Sequence, residues 1–151
     1  MRTQMKVIAV VVALACQRSE DRYLARSVAA TEVTGRWVLT ETGIDGLRFS
    51  GASTHLQRDD HVISILSDGS CSYRGFADPP RSGRAGERFV DVACEWNLRP
   101  ANRQTLTLHL ADDARTVLRF FFDEKDGELL LWQHAGDPDL WRYIEYAKEM
   151  E

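Results

Sequence analysis

From residue 89 to residue 98 the chain reads FVDVACEWNL, and Val90, Val92, Cys94, Trp96 and Leu98 alternate with Asp91, Ala93, Glu95 and Asn97. A period of two places the first set on one face of an extended strand and the second set on the other. That is the pattern of a strand half-buried in an antiparallel sheet. TLTLHL repeats it with Leu106, Leu108 and Leu110. Further runs of this kind, separated by turn residues, give candidate strands at 36–42, 61–66, 70–76, 89–98, 104–110, 116–124, 128–134 and 141–147. The expected fold class is all-β: an antiparallel up-and-down meander of about eight strands, closed as a barrel or strongly curved, since closure removes exposed edges. At 151 residues the chain is long enough for one sizeable core.

Register can be argued in three places. If Cys71 faces Cys94, then Tyr73 faces Val92, Gly75 faces Val90, Phe76 faces Phe89, and on the other face Arg74 meets Asp91. One alignment thus pairs thiols, apolar residues and opposite charges, and predicts a Cys71–Cys94 disulfide over two buried free thiols. Closing that ring contributes roughly 3–3.5 kcal/mol by the chain-entropy model. At LSDGS, a turn with a glycine bulge pairs Ile65 with Cys71 and Ile63 with Tyr73, leaving Ser64 and Ser72 outside; a plain two-residue turn would flip both isoleucines outward. By the same logic a bulge at Gly127 pairs Phe122 with Leu130 and Phe120 with Trp132. GDPDLWRYIEYAKEME carries a Pro138 turn signal and then strand formers, so one turn at 138–141 followed by a closing strand is expected.

The N-terminus reads differently. Arg2 and Lys6 precede nine consecutive apolar residues, Val7 to Ala15, and then Cys16 and a charged run. Nine residues rise only ~13–14 Å as a helix, too short for a hydrocarbon core of ~30 Å, so the run reads as a signal h-region. The residues ALAC at 13–16 resemble the lipobox of bacterial lipoproteins, in which the cysteine is lipidated and becomes the mature N-terminus. The resemblance implies a signal peptide over 1–15, a lipid anchor at Cys16 with a polar tether over 16–33, and a β-barrel-like domain over 34–151. Ordinary cleavage after Ala15, which would leave a secreted or periplasmic soluble protein, and a retained cytosolic N-terminus are the alternatives. Three cysteines favour the anchor, because a Cys71–Cys94 pair leaves Cys16 over.

TGRWVLTE at 34–41 resembles the G-x-W opening of lipocalin- and avidin-type barrels. In lipocalins that tryptophan closes the barrel floor beneath an arginine of the last strand. The resemblance therefore assigns those parts to Trp37 and Arg142, and implies a lipocalin-like barrel.

The chemistry-bearing residues are sparse. A formal net charge of -4 gives no nucleic-acid footprint. His55, His61, His109 and His134 form no H-x-x-x-H or C-x-x-C pattern, so neither a metal nor a cofactor is expected. His134 with Asp137 and Asp139 could bind a cation at a barrel mouth, and Asp59, Asp60 and His61 could act as an acid/base set. Turn and loop roles compete with both, and there is no G-x-S-x-G elbow or phosphate loop. Arg81, Arg84 and Arg88 make a basic patch in the loop 77–88, a candidate partner-binding site. Trp37, Tyr73, Trp96, Phe120 and Trp132 either line a ligand cavity or fill a closed core. Alternation turns Phe121 away from Phe120 and Phe122.

The expected function is that of a membrane-anchored cell-envelope lipoprotein acting as a non-catalytic, protein-binding module of the inhibitor or immunity type. Lipocalin-like carriage of a small apolar ligand is the alternative, and a hydrolytic or metal-dependent enzyme using His134 and Asp137 is the third reading.

Overall fold

The alternation seen in the sequence closes on itself. In a computed structural model, which describes residues 22–51, 55–77, 89–100 and 102–150, eight antiparallel strands form a closed barrel in which β1 pairs with both β2 and β8. The strands are β1 (Gly35–Leu39), β2 (Val62–Ile65), β3 (Ser70–Ala77), β4 (Phe89–Arg99), β5 (Thr105–Leu110), β6 (Val117–Lys125), β7 (Glu128–His134) and β8 (Tyr143–Lys148). A single helical turn, α1 (Ala30–Val33), precedes β1, and α2 (Glu41–Phe49) follows it. Inward positions are filled by large side chains; Trp37, Leu39, Ile63, Leu108, Phe120 and Tyr146 are all essentially inaccessible to solvent. Each such burial is worth ~1.5–3 kcal/mol, so the lumen is a hydrophobic core.

Register at the β2–β3 turn follows the burial argument: Ile65 pairs with Cys71, Ile63 with Tyr73, and Ser64 with Ser72 outside. Gly69 takes φ +90°, the left-handed position that the bulge requires. Across β3 and β4, Cys71 pairs with Cys94, Tyr73 with Val92 and Arg74 with Asp91, and the two cysteines form a disulfide. Beyond Arg74 the expected register fails. A bulge at Gly75 pairs Phe76 with Val90 and Ala77 with Phe89. The cause is local: a Cβ on Gly75 would run into the Tyr73 hydroxyl, so the ladder gives way at the residue without one.

The β6–β7 turn is also corrected. Asp126 (φ 54°) and Gly127 (φ 81°) are both left-handed, and Lys125 pairs directly with Glu128, as in a two-residue hairpin turn without a bulge. Phe122 therefore pairs with Leu131 and Phe121 with Trp132, one residue out of the expected register. The shift carries Trp132 from the lumen to the outer wall.

The first strand is shorter than expected, ending at Leu39 where 42 was expected. Thr40 caps α2, its hydroxyl accepting from the Gly43 N–H at 3.1 Å, while its own N–H donates to the Glu145 carbonyl at 3.0 Å. α2 then lies along the part of β8 that β1 has left, burying Ile44 and Leu47. Residues 138–140 form the expected turn before the closing strand.

Residues 22–33, read from sequence as part of a tether, lie against the barrel wall. Val28 and Val33 are buried, the Leu24 N–H donates to the Phe122 carbonyl at 3.0 Å, and Gln104 bonds both the N–H and the carbonyl of Val28. Because β5 stops pairing with β6 at Phe121, Leu24 takes up the next free position on β6.

The Trp37–Arg142 pairing is not formed. The Trp37 indole N–H donates to the Val33 carbonyl at 2.8 Å, and Trp37 stands opposite Lys148 at the far end of β8 from Arg142. Arg142 instead lies 5.1 Å over the Phe49 ring. What the barrel shares with lipocalins is eight antiparallel strands in meander order.

Candidate docking faces

Of the residues expected to line a cavity, Trp37, Tyr73 and Phe120 do meet inside the barrel, packed with Tyr146. Phe120 meets Tyr146 edge-on at 5.7 Å. Burial pushes the Tyr73 hydroxyl up, and Tyr146 well up with the Tyr73 hydroxyl beside it. Trp96 is half-buried at one end, where its indole N–H donates to the Leu66 carbonyl at 2.8 Å. Trp132 is outside. Cys16, Arg81, Arg84 and Arg88 lie outside the described residues.

The polar candidates are taken up elsewhere. The Asp137 carboxylate accepts the Asp139 N–H at 3.0 Å, closing the turn, and Asp60 accepts the Gln57 N–H at 2.7 Å. Asp59 faces Arg36. His61 is buried, its ring 5.0 Å from Phe89, and loss of hydration holds its pKa down at about 4 against the opposing charge of Asp60. Among the described residues, no three His, Cys, Asp or Glu side chains come together as a metal site.

Sequence reasoning missed the outer wall of β6–β8. Phe121, Trp132, His134 and Tyr143 form a continuous aromatic cluster there, with neighbouring centroids 5.0–5.6 Å apart. The N-terminal segment covers it. Tyr23 meets Phe121 edge-on at 5.0 Å and Trp132 at 5.1 Å, with Arg103 3.8 Å over the Tyr23 ring. Arg22 lies 4.2 Å over Tyr143, bonds Glu145, and stands 3.7 Å from Asp123. Glu145 in turn accepts the Thr40 hydroxyl at 2.8 Å. Burial raises the Asp123 carboxyl, with the Glu124 N–H and Arg22 opposing, and lowers His134, with Arg22 adding to the effect. The outward phase of Phe121 was the one signal for this wall; the residues that cover it came from the stretch read as tether.

Among the described residues, exposed apolar side chains gather at both ends of the barrel. At the hairpin end, a groove of about 900 Å³ opens between residues 34–36, 65–67, 128–129 and 148–150. Leu66 (57% exposed) and Met150 (84%) stand in it among Arg36, Lys148, Glu128 and Glu149. Arg36 bonds Glu149, and Lys148 donates to the Glu32 carbonyl at 3.2 Å. At the α2 end, Phe49 (50% exposed), Leu140 (51%) and Trp141 (40%) form a rim together with Arg142. Trp141 sits at φ 55°, a region that a bulky side chain adopts at a cost.

Comparison with protein-family models, with curated proteins and with solved structures finds no match for this chain.

Proposed function

We propose that this chain is a lipid-anchored protein of a bacterial cell envelope, and that its barrel is a non-catalytic module that binds another protein. The groove at the hairpin end carries the reading. It joins exposed Leu66 and Met150 to a rim of both charge signs. An apolar centre with a polar rim is the usual anatomy of a protein–protein contact. Support also comes from the lumen, where Trp37, Phe120 and Tyr146 occupy the positions a carried ligand would need. Of the groups the catalytic alternatives would use, His61 is buried, His134 is packed into the outer aromatic wall, Asp59 faces Arg36, and Asp60 and Asp137 accept backbone N–H bonds in their turns. Anchoring rests on the short apolar run and Cys16.

Three experiments test this reading, two of them on partner binding and one on the anchor. A photo-cross-linker placed at Leu66 in envelopes should give one discrete adduct that a crosslinker at the outward Ser64 does not; no adduct at Leu66 rejects the groove as a partner site. Parallel capture with Arg81→Ala and Arg84→Ala tests the arginine loop. Cys16→Ser should move the chain from the membrane to the soluble fraction with its thermal transition unchanged, and retention in the membrane overturns the lipid anchor.

A further inference from the structure

The α2 end carries a second exposed feature, different in kind from the groove. Phe49 ends α2, and Leu140 and Trp141 lie in the connection between β7 and β8; Arg142, 5.1 Å over the Phe49 ring, brings the two segments together. All three apolar side chains are two-fifths exposed or more. The backbone holds Trp141 left-handed, and that conformation is kept without an indole buried in the core to repay it. At roughly 300 Å² of apolar surface for three half-exposed large side chains, the rim falls well short of the ~800 Å² that one partner contributes to a standard protein interface. Tryptophan, leucine and phenylalanine beside an arginine are, however, the side chains that settle at the boundary between headgroups and acyl chains.

The course of the chain says which surface lies there. From α1 at the hairpin end back to Arg22, the N-terminal segment runs along the outer wall toward the α2 end, past Glu124, Phe122 and Phe121 to Tyr143. Arg22 is pinned over Tyr143, two residues from Trp141. Six residue steps separate Cys16 from Arg22, a reach of at most ~20 Å. A membrane attachment at Cys16 therefore lies beside this rim with slack to spare, whereas the hairpin groove, a strand length further off at ~20 Å for the six residues of β8, is met only by a fully extended link.

We propose that the Phe49–Leu140–Trp141–Arg142 rim rests in the headgroup region of the phospholipid bilayer that holds the N-terminus, so that the barrel stands with its α2 end on the membrane and its hairpin groove facing away. This rests on the anchored reading above and adds an orientation to it. Asp137 and Asp139, in the same connection, set the contact against strongly anionic surfaces and favour zwitterionic lipid.

The test uses the full-length chain, extracted from membranes and reconstituted into phosphatidylcholine vesicles with bromine either near the glycerol end or near the tail of the acyl chains. Trp37 and Trp132 are buried and Trp96 is half-buried, so Trp141 is the main reporter of lipid contact. The expected result is quenching of tryptophan emission, stronger from the shallow bromine, and loss of that quenching in Trp141→Phe. Leu140→Asp, on an exposed turn, should weaken the quenching with an unchanged thermal transition. Co-sedimentation with the vesicles combined with either equal quenching in wild type and Trp141→Phe or full access of Trp141 to aqueous acrylamide overturns the contact and leaves the anchor standing. Failure to co-sediment overturns the anchored reading and the contact with it.

Discussion

At the scale of single residues, the polar groups that matter are the buried ones. Among the described residues His61 has no hydrogen-bond partner on Nδ1, and burial holds it neutral, with its pKa lowered from 6.5 to about 4. Its folded pKa lies below its unfolded one, so the unfolded chain takes up the proton first as the pH falls. Stability is therefore complete above about 6.5 and declines between about 6.5 and 4. Below that window the contribution stays lost, a total on the order of 3 kcal/mol. Urea denaturation at a series of pH values should show this decline, and His61→Phe should flatten it; a parallel decline in both proteins would reject His61 as its source. Glu145 shows the opposite solution to burial. On the outer wall it pairs with Arg22 on one side and accepts the Thr40 hydroxyl on the other. Neither partner was legible in the sequence, because Arg22 is 123 positions away and stood in a stretch with no strand pattern.

At the scale of elements, strands were legible wherever alternation ran long and turns were chemically explicit. The β2–β3 register followed from the need to bury Ile63 and Ile65. The same reasoning failed at Asp126-Gly127, because it assumed that a tryptophan must face the lumen. Trp132 is 1% exposed on the outer wall, where Arg22 and Tyr23 lie over it, so burial did not specify a face there. Helix α2 was hidden by its two glycines, residues that weaken a helix by ~1 kcal/mol each relative to alanine. Their reason is tertiary: a Cβ at Gly43 would run into the Glu145 carbonyl oxygen, and one at Gly46 into that of Tyr143. Gly46→Ala should therefore destabilise the protein by roughly 1–3 kcal/mol in urea, the cost of overpacking, against its gain in helix propensity. Asp45→Ala, on the exposed face of the same helix, should stay within ~0.5 kcal/mol. A stabilising Gly46→Ala would show that α2 does not pack on β8 as described.

At the scale of the whole molecule, the barrel is closed by a short seam and braced on its far side. Only three residue pairs join β1 to β8, Trp37–Lys148 to Leu39–Tyr146. Two backbone bonds extend the seam, Thr40 N–H to Glu145 and Glu149 N–H to Arg36, and α2 covers the β8 edge beyond it. The Cys71–Cys94 disulfide ties β3 to β4, neighbours that already share a long ladder, and lies away from the seam. Its effect should therefore fall on the unfolded chain, with little effect on closure. Cys71→Ala with Cys94→Ala should lower stability by roughly 3 kcal/mol and the thermal transition by roughly 10 °C. Hydrogen exchange in the folded double variant should keep the protection of Thr40 and Glu149 relative to the β3–β4 amides. The opposite pattern, with the seam amides losing protection first and β3–β4 unchanged, would mean that the disulfide holds the barrel shut and that closure through β1, β8 and α2 does not stand by itself.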